Sequence, residues 1–353
     1  MTFISRKCPV CESSNSEMLY SQNFNSLPGL KKIRYGQKIV ICKECGMSFV
    51  KEYLSEDLLG EYYTNMSNYE YPGDNFQWPS QDKKKSNRQF EFCRNHSKSN
   101  FSKVLDIGCS LGYTLSLFKN DGSSVIGIEP SEHNKKLAKK MFGIEVISSF
   151  IKEDTNLPSN NNLIILSHVL EHIIDPVLII NKAKEALSEN GLLFIEVPTI
   201  EEFDGRDLYQ FSFEHINYFS HGSLKNLMHK LGFIELNHII FQNLENTAPF
   251  YPTLGTLWFK GNIYSGGIIN RYTHNKVVIQ KYLELVNEHK MQIESNLKIF
   301  LNKNFRFGIW GAGSLTSQLL SNSSVSELNV KVIFDIDKKK NGLKMEDIII
   351  KSP

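Results

Sequence analysis

Glu214 and His215 stand side by side in the run Phe213-Glu-His-Ile-Asn-Tyr-Phe-Ser220. Histidine titrates near neutrality, which makes it the usual general base, and a carboxylate partner orients the ring and stabilises its protonated form. Neighbouring residues of a straight strand point to opposite faces. Glu214 therefore supports His215 only if the backbone turns between them or a third group joins in. A second histidine, His172, follows an apolar run in Ser167-His-Val-Leu-Glu-His-Ile-Ile-Asp-Pro176. Both rings also have a plain structural reading, as buried histidines with satisfied nitrogens.

Four cysteines form two Cys-x-x-Cys pairs, Cys8/Cys11 and Cys42/Cys45. Two intervening residues let a tight turn aim both sulfurs at one ion, and two such knuckles close a tetrahedron around zinc. A fully cysteine-ligated ion has no open position, so the metal is expected to be structural. In a segment too small to build its own core, metal binding supplies folding energy, about 10–16 kcal/mol in zinc peptides. Cys93 and Cys109 stand alone and read as packed or loop cysteines, Cys109 lying within the glycine loop described next.

The run Val104-Leu-Asp-Ile-Gly-Cys-Ser-Leu-Gly-Tyr113 reads as strand, loop and helix start. Gly108 and Gly112 permit a sharp turn and close backbone approach to a ligand. Asp106 at the strand end suits an ammonium group. Glu129, 21 residues after Gly108, ends the next strand and suits a grip on ribose hydroxyls. Asp before the first glycine, and the spacing Asp-Ile-Gly-x-x-x-Gly, resemble class I methyltransferases rather than the Gly-x-Gly-x-x-Gly dinucleotide fingerprint. S-adenosylmethionine is the expected cofactor, with Asp106, Gly108, Cys109, Gly112, Tyr113, Glu129, Pro130 and His168 around it. In an open parallel sheet, ligands bind beyond the carboxyl ends of the strands. His168, Leu170, Glu171 and His172 are therefore expected at the cleft.

Five segments are expected to position these residues: a zinc domain over 1–60, an aromatic connecting segment over 61–100, and a methyltransferase domain over 101–245. A connecting segment with a long helix follows over 246–303, then a Rossmann-like unit over 304–353. Strand and helix patterns alternate through the third segment, which argues for a parallel sheet with crossover helices. Ser220 reads as a helix N-cap and Gly232 as its C-cap. The net charge of +2 is too weak for a nucleic-acid partner, despite clusters at Lys31, Lys32, Arg34 and Lys38 and at Lys83, Lys84 and Lys85. No run approaches the ~18 apolar residues of a membrane span. The first residues lack the apolar core of a secretory signal. A cytoplasmic monomer is the expectation.

Taken together, these motifs resemble the sugar C-methyltransferases that act on nucleotide-linked 4-keto-deoxysugars. The match runs through Cys8, Cys11, Cys42 and Cys45, then Asp106 to Gly112, His172, the Glu214-His215 pair with Tyr218, Phe219 and Ser220, and Phe307-Gly-Ile-Trp-Gly-Ala-Gly313. The resemblance implies an α/β class I methyltransferase domain, an N-terminal zinc domain and a C-terminal Rossmann-like domain, here shortened. It implies that His215, oriented by Glu214, abstracts the proton beside the ketone, and that His172 or a tyrosine stabilises the enolate. Ser212 stands where the family has tyrosine. Tyr63, Tyr69 and Tyr71 compete for a further aromatic position. The alternatives are O- or N-methylation of a surface-glycan precursor, methylation of RNA or protein, and a cofactor-binding module without turnover.

Overall fold

The computed structural model describes residues 3–27, 35–54, 80–97, 100–202, 210–242, 252–262, 266–301, 303 and 305–353. Tyr62, Tyr63, Tyr69, Tyr71, Phe76, Trp78, Lys31, Lys32 and Arg34 lie outside the described residues.

The chain opens with β1 (Phe3–Ser5), β2 (Ser16–Phe24), β3 (Tyr35–Cys42), β4 (Ser48–Val50) and β5 (Glu52–Leu54). Helix α1 (Ser80–Asn95) leads into β6 (Lys103–Ile107), α2 (Tyr113–Asn120), β7 (Ser124–Ile128), α3 (Glu132–Phe142) and β8 (Glu145–Ile147). Then come β9 (Asn161–Ser167), α4 (Pro176–Ala186), β10 (Leu187–Pro198), β11 (Asn217–Tyr218), α5 (His221–Lys230), β12 (Phe233–Phe241) and β13 (Thr253–Lys260). The last part holds α6 (Tyr272–Leu301), β14 (Phe307–Trp310), α7 (Ser314–Asn322), β15 (Val330–Phe334), β16 (Lys344–Met345) and β17 (Ile348–Lys351).

Seven strands form the central sheet in the order β12-β13-β10-β9-β6-β7-β8. Strands β6 to β10 run parallel, and β13 lies antiparallel to both β10 and β12. This is the Rossmann-like α/β sheet of class I methyltransferases. Its middle strands are apolar without alternation because helices cover both faces. Leu105, Ile164 and Ile195 pack into one core, while Val104, Leu163, Ile165 and Phe194 pack into another.

The helix ends follow from local chemistry. Ser220 caps α5 in a reciprocal box with Ser223. Gly232 adopts a left-handed φ of 74° one residue beyond the C-cap, Leu231, so it closes the helix from the C′ position. Asp175 caps α4 ahead of Pro176 in the first turn.

A second sheet, β11-β4-β3-β2, joins the cysteine segment to the methyltransferase part. Its edge strand β11 comes from residues 217–218 and pairs with β4 through Asn217–Phe49 and Tyr218–Ser48. The boundary expected near residue 60 is therefore crossed by the chain just past His215. The boundary expected at 245 is also too early, because β13 belongs to the central sheet. The 30-residue α6 buries Ile279, Tyr282 and Val286 against Phe24, Tyr35, Phe211 and Phe213. A third sheet, β14-β15-β17-β16, has β14, β15 and β17 parallel, as a Rossmann-like unit requires.

Candidate active site

The His215 segment is docked by its backbone onto the turn that follows β9. Ile216 and Asn217 both donate to the Glu171 carbonyl, at 2.8 and 3.1 Å. The Asn217 amide donates to the carbonyls of Leu170 and Ile173, at 2.8 and 2.6 Å. From the cysteine segment, Arg6 completes the clamp. Its guanidinium donates to the Ile216 carbonyl, to Asn217 Oδ1 at 2.9 Å and to the Ile174 carbonyl at 3.2 Å.

This clamp brings His215 and His172 together, with ring centroids 4.9 Å apart and planes at 72°. His172 Nδ1 lies 3.1 Å from the Glu214 carbonyl oxygen. Glu214 thus supports His172 through its backbone. The carboxylate beside the two rings is that of Glu171: one of its oxygens and one nitrogen of each ring lie within 4.8 Å of one another. Glu171 Oε1 is 3.8 Å from His172 Nε2 and 3.2 Å from His168 Nδ1. His168 reaches on to Glu196 Oε1 at 3.1 Å, and Arg88 meets the same oxygen at 3.1 Å. His168 itself sits in the left-handed region, φ 55°, at the end of β9. Such backbone strain in a non-glycine residue costs of order 1–3 kcal/mol and clusters at functional sites.

The charges follow from these contacts. Burial pushes the Glu171 pKa up, but His168, His172 and His215 outweigh it and bring it down to about 2. Glu196 likewise falls to about 2, through His168 and Arg88. Burial would lower the His168 pKa, yet its two carboxylate partners raise it. His215 is pushed down to about 3, first by burial and then by His172. At neutral pH the site therefore holds two carboxylates and an uncharged His215 ring, with His168 between the carboxylates favouring its protonated form.

The glycine loop faces the same end of the sheet. Gly108 and Gly112 adopt φ of 80° and 77°, and a Cβ at Gly108 would stand 2.6 Å from Val169 Cγ2. Asp106 is 4% exposed, its Oδ1 has no hydrogen-bond partner among the described residues, and burial pushes its pKa up to about 7. A buried carboxyl with one such oxygen fits the ammonium of S-adenosylmethionine. Glu129 accepts from the Ser110 and Ser131 amides at 3.1 and 3.0 Å. It holds the loop through these two amides, with Asn134 as a further partner. Tyr113 opens α2 with its ring on Phe142, and Pro130 is exposed after β7. Cys109 is turned into the core: its amide donates to the Ile128 carbonyl, and its thiol fills the space a Cβ on Gly127 would need. Any contact of Cys109 with the cofactor would therefore come from its backbone.

Helix α1 supplies residues the sequence reading missed. Gln89 donates to Ser167 Oγ at 2.8 Å, Thr114 donates to Ser86 at 3.0 Å, and Arg88 bonds Glu196 and Thr253. These contacts lay α1 across the carboxyl ends of the strands. A polar helix with no fixed apolar stripe gives little sequence signal, and its partners are distant in the chain.

At the other end of Arg6, Cys8 and Cys45 place their sulfurs 3.5 Å apart and Cys11 and Cys42 theirs 3.4 Å apart, with all four within 4.8 Å of one another. Sharing protons with the other sulfurs pulls the Cys42 thiol far below its usual range and pushes Cys45 far above it. Four convergent sulfurs suit a dication that binds all of them as thiolates.

A family model described as a methyltransferase domain matches residues 76–235. C-methyltransferase NovU of Streptomyces niveus is 29% identical over 135 residues, which is 36% of this chain and 32% of that protein. A ubiquinone biosynthesis O-methyltransferase of Idiomarina loihiensis is 27% identical over 111 residues, 29% of this chain and 45% of that protein. The chain thus spans less than half the length of these curated relatives. The N-methyltransferase NodS of Bradyrhizobium japonicum WM9, solved with S-adenosyl-L-homocysteine, is 13% identical at a TM-score of 0.42, covering 51% of this chain and 88% of that one. Residues 76–235 are an S-adenosylmethionine-dependent methyltransferase domain.

Proposed function

We propose that this chain methylates a nucleotide-linked 4-keto-deoxysugar at the carbon beside the ketone. The observation that carries this reading is a half-buried His215 ring held against His172 at the carboxyl end of the sheet. A 4-keto group acidifies the neighbouring C–H bond, and a neutral imidazole is the base that such a proton needs near pH 7. His215 takes the proton, and the electron pair stays on the substrate as an enolate. His172, anchored at Nδ1 by the Glu214 carbonyl, would donate to the developing oxyanion from Nε2 once that nitrogen also carries a proton.

Asp106, Gly108, Gly112, Tyr113, Glu129, Pro130 and His168 would hold S-adenosylmethionine, which supplies an electrophilic methyl group and leaves as a neutral thioether. Helix α1, laid over the strand ends, excludes water from the reacting atoms, which keeps the enolate from reprotonation. Cys8, Cys11, Cys42 and Cys45 would hold one zinc ion, which takes no part in the reaction. Its task is to fold the sheet on which β11 and the His215 segment hang. The similarity to C-methyltransferase NovU over 36% of this chain supports carbon as the acceptor.

The test is turnover with a panel of nucleotide-linked sugars, with and without a 4-keto group, read by product mass. Gain of one methyl on keto sugars alone is expected. Transfer to hydroxyl or amino sugars that lack the ketone would replace this reading with O- or N-methylation. Cofactor binding with no transfer to any sugar would reject a sugar acceptor.

A further inference from the structure

We infer that Glu171, rather than the Glu214 carboxylate, is the counter-ion of the His172–His215 pair. Glu171 is a positioning residue: it stabilises the imidazolium that forms when His215 takes a proton. The inference rests on the reading of His215 as the base.

Four observations meet at this residue. Its side chain is 1% exposed, and neither carboxylate oxygen accepts an aligned hydrogen bond among the described residues. Its carboxylate and the two rings lie within 4.8 Å of one another. Its own carbonyl takes the amides of Ile216 and Asn217, so the residue that holds the backbone just past His215 also places a charge beside the His215 ring. The Glu214 side chain is half-buried, and this residue's carbonyl is what meets His172.

Charge counting gives the same assignment. From the turn after β9, His168 and His172 face Glu171, and from the segment before β11, His215 does. Beyond His168 lie Glu196 on β10 and Arg88 on α1. Lys85 of α1 adds positive charge to the same end of the network. Glu196 is answered by Arg88, and both carboxylates share His168. Proton transfer breaks a C–H bond of the acceptor, leaves the electron pair on carbon and oxygen, and forms an N–H bond on His215. The new positive charge then faces Glu171 at short range in a water-poor site. There an opposite charge within about 4–6 Å shifts a pKa by one to three units. A buried carboxylate is costly unless positive charge faces it. Glu171 already faces His168 at 3.2 Å, and the proton taken by His215 adds positive charge beside the same carboxylate.

Nitrogen-15 spectra of the histidines in the full chain test this directly, and they need no turnover. In Glu171→Gln, the pH at which the His172–His215 pair takes up its proton falls by one unit or more, as expected for loss of a nearby charge. Glu214→Gln moves it little, and Glu171→Asp, which keeps the charge, restores most of the shift. With a keto-sugar acceptor, Glu171→Gln lowers kcat about ten- to a hundredfold while KM and cofactor affinity hold. Should Glu171→Gln fail to fold, carbon-13 spectra of the wild-type carboxyls decide: Glu171 must be ionised at neutral pH. A proton on Glu171 at neutral pH, or a pair that responds to Glu214→Gln and not to Glu171→Gln, overturns the inference. Loss of methyl transfer to every sugar, with the titration intact, would reject the proposed reaction and leave the counter-ion assignment standing.

Discussion

His172 Nδ1 lies 3.1 Å from the backbone carbonyl oxygen of Glu214. The ring therefore holds its proton on Nδ1, donates it to that carbonyl, and turns Nε2 toward Glu171 at 3.8 Å. Two residues 42 positions apart in the chain are thus one unit of the site. The hydrogen bond depends on a backbone atom, so Glu214→Ala is expected to keep His172 in place. Its kcat should fall by less than tenfold, whereas a carboxylate that worked directly on the base would cost 10²-fold or more.

Replacing His215 removes the proposed base. His215→Ala is expected to lower kcat by about 10²–10⁴-fold, the usual contribution of a general base. Calorimetry with S-adenosylhomocysteine should show unchanged affinity, because the glycine loop is untouched.

Asp106 makes cofactor binding pH-dependent. Burial raises its pKa to about 7, so below that pH the free protein holds a proton that must leave before an ammonium can pair with the carboxylate. Affinity for S-adenosylmethionine should therefore weaken as pH falls below about 7, by up to about tenfold per unit for one linked proton. Asp106→Asn should bind more weakly and lose this slope. Titration calorimetry across the range reads both effects.

The sheet was legible because its signals are local. Strand β6 and helix α2 follow from apolar runs, a buried acid and two glycines within eleven residues of chain, 103–113. The Ser220 cap was equally local. The counter-ion at Glu171 was not legible in this way. In the sequence it is one acid in a turn, and its meaning comes from the contact of that turn with residues 214–217. Glu214 drew the role because it adjoins His215 in sequence, yet the packing hands that position to Glu171, an acid far earlier in the chain. The edge strand β11 escaped notice for a related reason. Two residues carry no periodicity, and their pairing with β4 is a tertiary event.

Metal removal should reach the catalytic segment through that pairing. Zinc analysis is expected to find one ion per chain, and Cys42→Ser to lose it. Binding energy of about 10–16 kcal/mol in zinc peptides rivals the whole stability of a domain, about 5–15 kcal/mol, so the N-terminal sheet should not survive chelation. Thermal melting with and without chelator reads this as a lower midpoint or an added early transition.

Arg6 carries the same coupling at one residue. Its guanidinium bonds Val50, Ile174, Ile216 and Asn217. Arg6→Met should cost about 2–3 kcal/mol, the scale of hydrogen bonds to a charged group. It should lower kcat more than it lowers cofactor affinity, because it loosens the His215 segment and leaves the glycine loop alone. Urea unfolding and steady-state kinetics on one preparation separate the two effects.

The central claim is that carbon receives the methyl group. Transfer of a carbon-13 methyl from S-adenosylmethionine to a nucleotide-linked 4-keto-deoxysugar, followed by NMR of the product, tests it in one step. The account predicts a methyl signal coupled to the sugar carbon next to the ketone, formed by the wild-type chain and lost in His215→Ala. A methyl signal on oxygen or nitrogen, or transfer that survives His215→Ala undiminished, would contradict it.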